Sequence, residues 1–190
     1  KGGIHKLYTQ NGDEIKSKTV IISTGASAKY LGLPSEQRLI GGGVSACAVC
    51  DGFFYKNQDV AIVGGGDTAI EEATYLAKIC TNVTMLVRKD HFRASKAMQN
   101  RLSNFDNIKV LFNHEVEEVI GENVVDGLRI KNNLTNDISE LKITGLFIAI
   151  GHSPNTDIFK GLVDMDESGY ILTDKTSTKT NIPGVFAAGD

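Results

Sequence analysis

A short glycine-rich segment in the middle of the chain constrains its fold more than any other feature. The segment reads Gly64-Gly65-Gly66-Asp67-Thr68-Ala69. It follows the apolar run 60–63, which is typical of a buried strand, and it opens the stretch 67–79, where apolar residues recur at i, i+3 and i+4 as on one face of a helix. A second apolar run, 83–87, comes next. Strand, helix and strand in this order predict a βαβ unit and therefore a parallel sheet.

In that setting the glycine-rich segment predicts a dinucleotide site. Gly64 permits a tight turn, Gly66 lets the backbone approach a pyrophosphate, and Ala69 keeps the helix close to the sheet. The free N–H groups at the start of the helix then face the phosphates. An ordinary glycine turn is the alternative for the segment taken alone, but the βαβ context favours a cofactor. We therefore expect cofactor contacts from Gly64, Gly65, Gly66, Asp67, Thr68 and Ala69.

The end of the second predicted strand indicates which nucleotide is bound. In an NAD site this position carries an acidic residue that holds the ribose 2'-hydroxyl. Here the strand ends in Arg88 and Lys89, with Arg93 nearby. No carboxylate lies at this strand end before Asp90. Guanidinium and ammonium groups at this place suit a 2'-phosphate. The sequence therefore favours NADP over NAD, although a short charged run is more often a solvated surface.

The elements predicted after this unit complete one α/β domain. Helical spacing returns over 94–102, and a third strand is predicted at 108–111. Short alternating segments over 115–143 resemble a β-meander, which comes before a final apolar strand at 146–150. Together these elements predict a doubly wound, Rossmann-like domain with an added meander.

The two ends of the chain follow another pattern, and neither closes a fold alone. The beginning predicts a β-hairpin, with strands at 4–8 and 19–22 around a turn at 11–13. The tail shows no alternation of strand and helix. We therefore expect a nucleotide-binding domain inserted between two parts of a second domain. The predicted segments are, in chain order, 1–28, 29–153 and 154–190.

Cys47 and Cys50 form the second candidate centre. Two thiols at this spacing can close a reducible disulfide, and a position near the start of a helix lowers the pKa of one thiol and makes it the better nucleophile. Asp51 follows directly and is predicted to donate or accept a proton, since a carboxyl partly out of water can have its pKa raised toward neutrality.

Half a zinc site is the alternative interpretation of this cysteine pair. Zinc needs two further soft or imidazole ligands. The remaining candidates, none of which is paired at ligand spacing, are Cys80, His5, His91, His114 and His152. We therefore expect no metal, and we expect Cys80, at the end of an apolar helical face, to be a packed core thiol.

Composition excludes several classes of partner. The net charge is -3 with 23% charged residues, so no basic excess indicates nucleic acid. No apolar run is long enough to span a membrane, and the start at Lys1 shows no signal pattern. Three cysteines are too few for a secreted disulfide framework. These features favour a cytoplasmic protein that binds neither nucleic acid nor membrane.

The ordered set of motifs resembles the low-molecular-weight thioredoxin reductase family over essentially the whole chain. The redox motif of that family, Cys-Ala-Thr/Val-Cys-Asp-Gly, matches 47–52. Its NADPH fingerprint, Gly-Gly-Gly-Asp/Asn-Ser/Thr-Ala followed by Glu-Glu-Ala, matches 64–73. Two further segments also match: Ala-Ile-Gly-His-Ser-Pro-Asn at 149–155, and Gly-Val-Phe-Ala-Ala-Gly-Asp at 184–190, the second flavin motif of the family.

The resemblance implies a path for electrons. In this family NADPH reduces FAD, the flavin reduces the cysteine disulfide, and the dithiol reduces thioredoxin. It implies that Cys50 lies next to the flavin, that Cys47 attacks the thioredoxin disulfide, and that Asp51 is the acid–base group. It also implies rotation of the nucleotide domain about connections near 25–30 and 151–154, and a homodimeric full-length protein.

The chain departs from the family pattern in two places. The 2'-phosphate motif, usually His-Arg-Arg-x-x-x-Arg, has Val87 and Lys89 at its first and third positions. The first flavin fingerprint, an N-terminal Gly-x-Gly-x-x-Gly, is absent from the sequence. We therefore expect the chain alone to bind NADP(H), to hold FAD poorly and to turn over little or nothing. The resemblance still implies cofactor contacts from Thr24, Gly25, Gly151, Gly189 and Asp190.

Two other functions remain as alternatives. The flavoprotein of alkyl hydroperoxide reductase shares the nucleotide and flavin motifs, but it usually has Pro-His between its cysteines, where this chain has Ala48-Val49. Related ferredoxin-NADP reductases lack the cysteine pair. A non-catalytic NADPH-binding, redox-sensing module, with the cysteines as a switch, is the alternative from another class.

Overall fold

The computed structural model describes residues 3–190. Lys1 and Gly2, which open the first predicted segment, lie outside the described residues. The chain forms two compact units, and it passes between them at Ser27–Ala28 and at Gly151–His152. The central unit is Ala28–Gly151, and the second unit joins the two ends of the chain.

Short strands dominate the secondary structure. The strands are β1 His5–Tyr8, β2 Glu14–Ser17, β3 Val20–Ile22, β4 Ala26–Ala28, β5 Val44–Ser45, β6 Asp59–Val63, β7 Asn82–Val87, β8 Ile108–Phe112, β9 His114–Ile120, β10 Gly127–Asn132, β11 Ile138–Leu141, β12 Gly145–Ile148, β13 His152–Pro154 and β14 Val185–Ala187. The helices are α1 Pro34–Arg38, α2 Ala48–Asp51, α3 Asp67–Leu76 and α4 Lys96–Leu102, with 3-10 turns at Gly52–Tyr55 and Asp157–Phe159.

A five-stranded sheet in the order β5-β12-β6-β7-β8 is the centre of the central unit, and its neighbouring strands pair in parallel. The inner strands are almost continuous apolar runs, and both of their faces are buried, as the consecutive residues Val60 and Ala61 show with exposures of 1% and 0%. Carboxyl ends of all five strands therefore lie at one edge of the sheet.

Different layers cover the two faces of this sheet. On one face α3 packs through Ile70, Ala73 and Leu76, all fully buried. On the other face lies the antiparallel meander β9-β10-β11, which contributes Val119 and Leu128 to a second cluster. The predicted α/β fold with a parallel sheet and a meander is confirmed. The meander covers the face of the sheet that a second layer of helices covers in other doubly wound folds.

The second unit corrects the predicted hairpin. The strand that pairs with β1 is β2, a polar segment, and not the apolar run 19–22. An exposed hairpin needs no apolar residues, and this one has Glu14 in contact with Lys6 and Tyr8. The strand β3 instead pairs in parallel with β14, and its residues Val20 and Ile22 pack into a small core. No helix among residues 3–190 is long and apolar enough to cross a membrane.

Candidate redox and dinucleotide site

A disulfide joins Cys47 and Cys50, with their Cα atoms 5.3 Å apart. Cys47 caps the start of α2, and its Sγ accepts a hydrogen bond from the backbone N–H of Cys50 at 3.2 Å. Ala48 is fully buried, Cys47 is half-buried and Cys50 is exposed. The disulfide is therefore anchored on one side and open to a partner molecule on the other.

Ser45 connects Asp51 to the cysteine pair. Its hydroxyl donates to Asp51 Oδ2 at 2.6 Å and accepts from the backbone N–H of Cys47 at 3.0 Å. This hydroxyl fixes the carboxylate close to the disulfide, where a proton can be exchanged. Burial, followed by the charge of Asp51, raises the pKa of Tyr55. Sequence reasoning missed Ser45, for which the only signal was a hydroxyl two residues before the first cysteine.

The third cysteine and the histidines do not join this centre. Cys80 is 7% exposed and packs in the core beside α3, and burial raises the pKa of its thiol to about 11. Among residues 3–190 no group of three or more histidine, cysteine and acidic side chains could hold a metal ion. In the described part of the chain, Cys47 and Cys50 are joined to each other as a disulfide.

The glycine loop joins β6 to α3 in a very restricted space. Gly64 has φ +149°, and a Cβ there would overlap the Ala149 carbonyl oxygen and lie 2.7 Å from Ala69 Cβ. Ala69 is fully buried beneath it. Gly66 is the residue before α3, and a Cβ there would meet only Arg93 Nη2, at 3.9 Å. The backbone at Gly66 is consequently open to a ligand, whereas Gly64 is needed by the fold itself.

The two residues after these glycines have different surroundings. The Asp67 carboxylate accepts a hydrogen bond from the backbone N–H of Ser95 at 2.7 Å, which ties the start of α3 to the start of α4. Thr68 is exposed in the first turn of α3. Asp67 was predicted as a cofactor contact, and the structure shows it holding neighbouring backbone.

A cleft of about 1150 Å³ opens beside the glycine loop at the carboxyl edge of the sheet. It is lined by Gly64 and Gly65 and by all three predicted 2'-phosphate residues, Arg88, Lys89 and Arg93. These three cations form no ion pair with any residue from 3 to 190. The backbone N–H of Arg93 donates to the Gly65 carbonyl at 2.8 Å, which holds the basic segment against the loop.

Sequence reasoning did not assign several of the lining residues to the cleft, and most of these come from distant segments. They include His91, whose Nδ1 lies 2.5 Å from Asp90 Oδ1, and the ion-paired Glu118 and Arg129. The hydrogen bond from His91 holds the pKa of Asp90 below its usual value. An apolar wall is formed by Leu31, Leu33, Pro34, Ala149 and Ile150.

The residues of this cleft, together with Gly66 beside it, fit a dinucleotide phosphate. Gly66 provides backbone without a side chain at the start of a ten-residue helix, and the basic segment provides unpaired cations at the end of β7. The volume is slightly above the roughly 300–1000 Å³ that is usual for ligand clefts. An extended molecule with two phosphate-bearing parts suits such a cleft.

The second unit brings four of the predicted flavin contacts together. Thr24, Gly25, Gly189 and Asp190 line one cavity of about 160 Å³. Gly151 lines neither this cavity nor the cleft of the central unit. A cavity of 160 Å³ is below the roughly 300 Å³ of small ligand sites, so it can enclose only part of a flavin dinucleotide.

Comparisons with known proteins agree with these features. The chain is 48% identical over 188 residues to the thioredoxin reductase of Rickettsia prowazekii, an alignment that covers 97% of this chain and 61% of the relative. It is 49% identical over 189 residues to the thioredoxin reductase of Streptomyces coelicolor, covering 100% of this chain and 59% of the relative. The chain thus spans about three fifths of the length of these relatives.

Solved structures give the same result. The thioredoxin reductase of Lactococcus lactis, in its FR conformation, superposes with a TM-score of 0.84 at 38% identity, covering 100% of this chain and 62% of that one. The thioredoxin reductase of Streptococcus pyogenes gives a TM-score of 0.85 at 39% identity, covering 100% and 61%. Residues 3–190 match one family along their whole length. The chain therefore belongs to the pyridine nucleotide-disulphide oxidoreductase family.

Proposed function

We propose that this chain carries the NADPH-binding and disulfide-bearing part of a thioredoxin-disulfide reductase. The observation that carries the proposal is an accessible Cys47–Cys50 disulfide in the same structural unit as a glycine loop and a basic cleft. Relatives that bear the name thioredoxin reductase, at 47 to 50% identity, support the choice of thioredoxin as the disulfide substrate.

Family membership implies NADPH and FAD as cofactors. When bound, NADPH supplies two electrons as a hydride, and FAD passes them to a disulfide. In our proposal the central unit is the NADPH-binding domain, where the glycine loop holds the pyrophosphate and Arg88, Lys89 and Arg93 hold the 2'-phosphate. The second unit contributes to the FAD-binding domain, with Thr24, Gly25, Gly189 and Asp190 at the flavin.

The cysteine pair then transfers two electrons and two protons. Reduction breaks the Cys47–Cys50 bond and leaves two thiols. The Cys47 thiolate attacks the thioredoxin disulfide and forms a mixed disulfide, and the released thioredoxin thiolate takes a proton. Cys50 then attacks Cys47 Sγ, which restores the internal disulfide and frees the second thioredoxin thiol. Asp51, held by Ser45, accepts and returns the protons.

Three further parts of the proposal rest on the resemblance and on thiol chemistry. The full-length protein is a homodimer, it works in the cytoplasm, and its cysteines cycle there between disulfide and dithiol. The 190-residue chain holds one glycine-rich βαβ loop, so by itself it binds NADP(H) and does not turn over.

A single-turnover experiment tests the thiol chemistry without any cofactor. The 190-residue chain is reduced, freed of reductant and mixed with oxidised thioredoxin, and thioredoxin thiols are counted by alkylation and mass measurement. We expect one thioredoxin dithiol per chain. Cys50→Ser should instead stop at a mixed disulfide through Cys47, and Cys47→Ser should react far more slowly. Equal trapping by both variants would refute the assigned roles, and no transfer from the reduced chain would refute the reductase itself.

The complete protein tests the whole path of electrons. NADPH oxidation is followed at catalytic enzyme concentration with and without thioredoxin, and Cys50→Ser is the control. Turnover that needs thioredoxin and disappears in the variant is expected. Oxidation of NADPH that is the same in the variant would point to a peroxide-linked flavoprotein or to a redox sensor.

A further inference from the structure

We propose that Glu72, in the middle of α3, is a positioning residue for the Cys47–Cys50 pair and acts on it through the start of α2. The inference rests on the proposed function, because it concerns how the redox disulfide is held. The NADPH fingerprint includes Glu72 in its Glu-Glu-Ala segment without assigning it a role, and neither the cleft nor the cysteine centre described above includes it.

The packing of α2 on α3 places Glu72 opposite the first residues of α2. Ala48, fully buried, belongs to the same cluster as Ala73 and Leu76 of α3. At the other end of α2, a Cβ on Gly52 would lie 2.9 Å from Leu76 Cδ2 and 3.2 Å from Tyr75 Cε1. Residues three and four apart share a helix face, and one turn rises about 5.4 Å. Glu72 is one turn before Tyr75 and Leu76 on this face of α3, and the backbone N–H of Ala48 is the group of α2 that acts on its carboxyl.

The carboxyl of Glu72 is poorly solvated in this position. Its Oε2 is out of contact with solvent and has no hydrogen-bond partner. Burial raises the pKa of Glu72, the nearby backbone N–H of Ala48 lowers it in part, and the charge of Glu71 raises it further. The N–H of Ala48 thus approaches the carboxyl closely enough to favour its charged form.

The backbone N–H of Ala48 has no acceptor within its own helix or in solvent. Ala48 is the first residue of α2, so its N–H has no acceptor inside the helix. Because Ala48 is 0% exposed, water does not replace a missing acceptor. Cys47, which precedes Ala48, carries one sulfur of the disulfide, and Cys50, the third residue of the same short helix, carries the other. A carboxyl that fixes Ala48 therefore fixes the separation of the two sulfurs, in the reduced as well as the oxidised state.

The equilibrium between disulfide and dithiol tests this inference. In a glutathione buffer the internal disulfide and two glutathione thiols exchange for the dithiol and glutathione disulfide. Loss of the contact at Ala48 separates the two thiols in the reduced chain and lowers their effective concentration. We expect Glu72→Ala and Glu72→Asp to shift the equilibrium constant toward the dithiol by at least about threefold, because neither side chain reaches Ala48.

Two variants serve as matched controls. Glu72→Gln keeps an oxygen that can accept from the Ala48 N–H, so it should stay within about twofold of the parent chain. Glu122→Gln removes an exposed carboxyl in the turn between β9 and β10, and it should leave the equilibrium constant unchanged. Urea unfolding and NADP+ affinity show that each variant is folded, and Glu72→Asp remains informative if Glu72→Ala is not.

Each outcome distinguishes the inference from the proposed function. An unshifted equilibrium in both Glu72→Ala and Glu72→Asp would overturn the positioning role and leave the reductase proposal intact. A shift in Glu72→Gln as large as in Glu72→Ala would also overturn it, since the amide preserves the acceptor. A parent chain whose cysteines do not cycle at all would overturn the proposed function instead.

Discussion

Gly66→Ala tests whether the open backbone before α3 is a pyrophosphate site. A Cβ at Gly66 would have only Arg93 Nη2 within 4 Å, at 3.9 Å, and the residue has φ -94°, which alanine adopts without strain. The folded chain therefore accommodates the methyl group. The methyl group instead occupies the space through which a phosphate would approach the first N–H groups of α3.

The two consequences differ in magnitude. Alanine is a poorer residue than glycine before a helix, and the change costs up to about 1 kcal/mol of stability, a small part of the roughly 5–15 kcal/mol typical of a domain. A displaced phosphate loses at least one hydrogen bond to a charged group, which contributes about 1.5–3 kcal/mol. The Kd for NADP+ should therefore rise about 10- to 150-fold, at about 1.4 kcal/mol for each factor of ten.

Calorimetric titration with NADP+ measures this loss, and urea unfolding of the same samples measures stability. Glu122→Gln, in the exposed turn between β9 and β10, is a suitable control for both measurements. An unchanged Kd in a folded Gly66→Ala chain would refute our assignment of the pyrophosphate to this loop. A large loss of stability would refute the argument that the position is open.

Three further changes test other parts of the structure. Gly64→Ala should destabilise the fold by about 3 kcal/mol or more in urea unfolding, because its Cβ would overlap the backbone carbonyl of Ala149; wild-type stability would contradict this. Arg93→Ala should raise the Kd for NADP+ about tenfold and leave that for NAD+ unchanged, and an equal effect on both nucleotides would show that Arg93 is not a 2'-phosphate ligand. The pKa of Cys80 is raised by burial from 9.0 to about 11, so the folded chain keeps a proton that the unfolded chain releases. The contribution of the Cys80 thiol to the free energy of unfolding should be present below pH 9 and lost as the pH rises to 11. In Cys80→Ala, the free energy of unfolding should not show this loss between pH 9 and pH 11.

The sequence predicted those parts of the site that are encoded locally. The glycine loop and the cysteine pair each lie within six consecutive residues, and their residue types have few other uses in such a context. The parallel sheet was predicted from the order of strand, helix and strand, in which both strands are apolar runs. The hairpin prediction was wrong because Glu14–Ser17 is polar, and hydrophobic pattern alone favoured the run 19–22.

Buried polar residues were not predictable in this way. Glu36 is 0% exposed, and its two carboxylate oxygens accept hydrogen bonds from the backbone N–H groups of Leu31 and Gly32 at 2.9 and 2.8 Å. A lone glutamate is expected at the surface, and the partners here are backbone groups that carry no signal of their own in a sequence. Ser45 was missed for the same reason, because its importance comes from the folded position of Asp51.

The helix α3 adjoins both the glycine loop and the cysteine centre, which the sequence showed only as two motifs close together along the chain. Gly66 precedes α3 and directly follows Gly64 and Gly65, which line the cleft, whereas Ala48 and Gly52 pack along the body of the same helix. A substitution that shifts α3 should therefore change nucleotide affinity and the disulfide equilibrium together. Gly66→Ala should change only the first and Glu72→Asp only the second. This separation follows from the packing on α3 and not from distance along the chain, since Glu72 is closer in sequence to the glycine loop than to the cysteines whose equilibrium it should control.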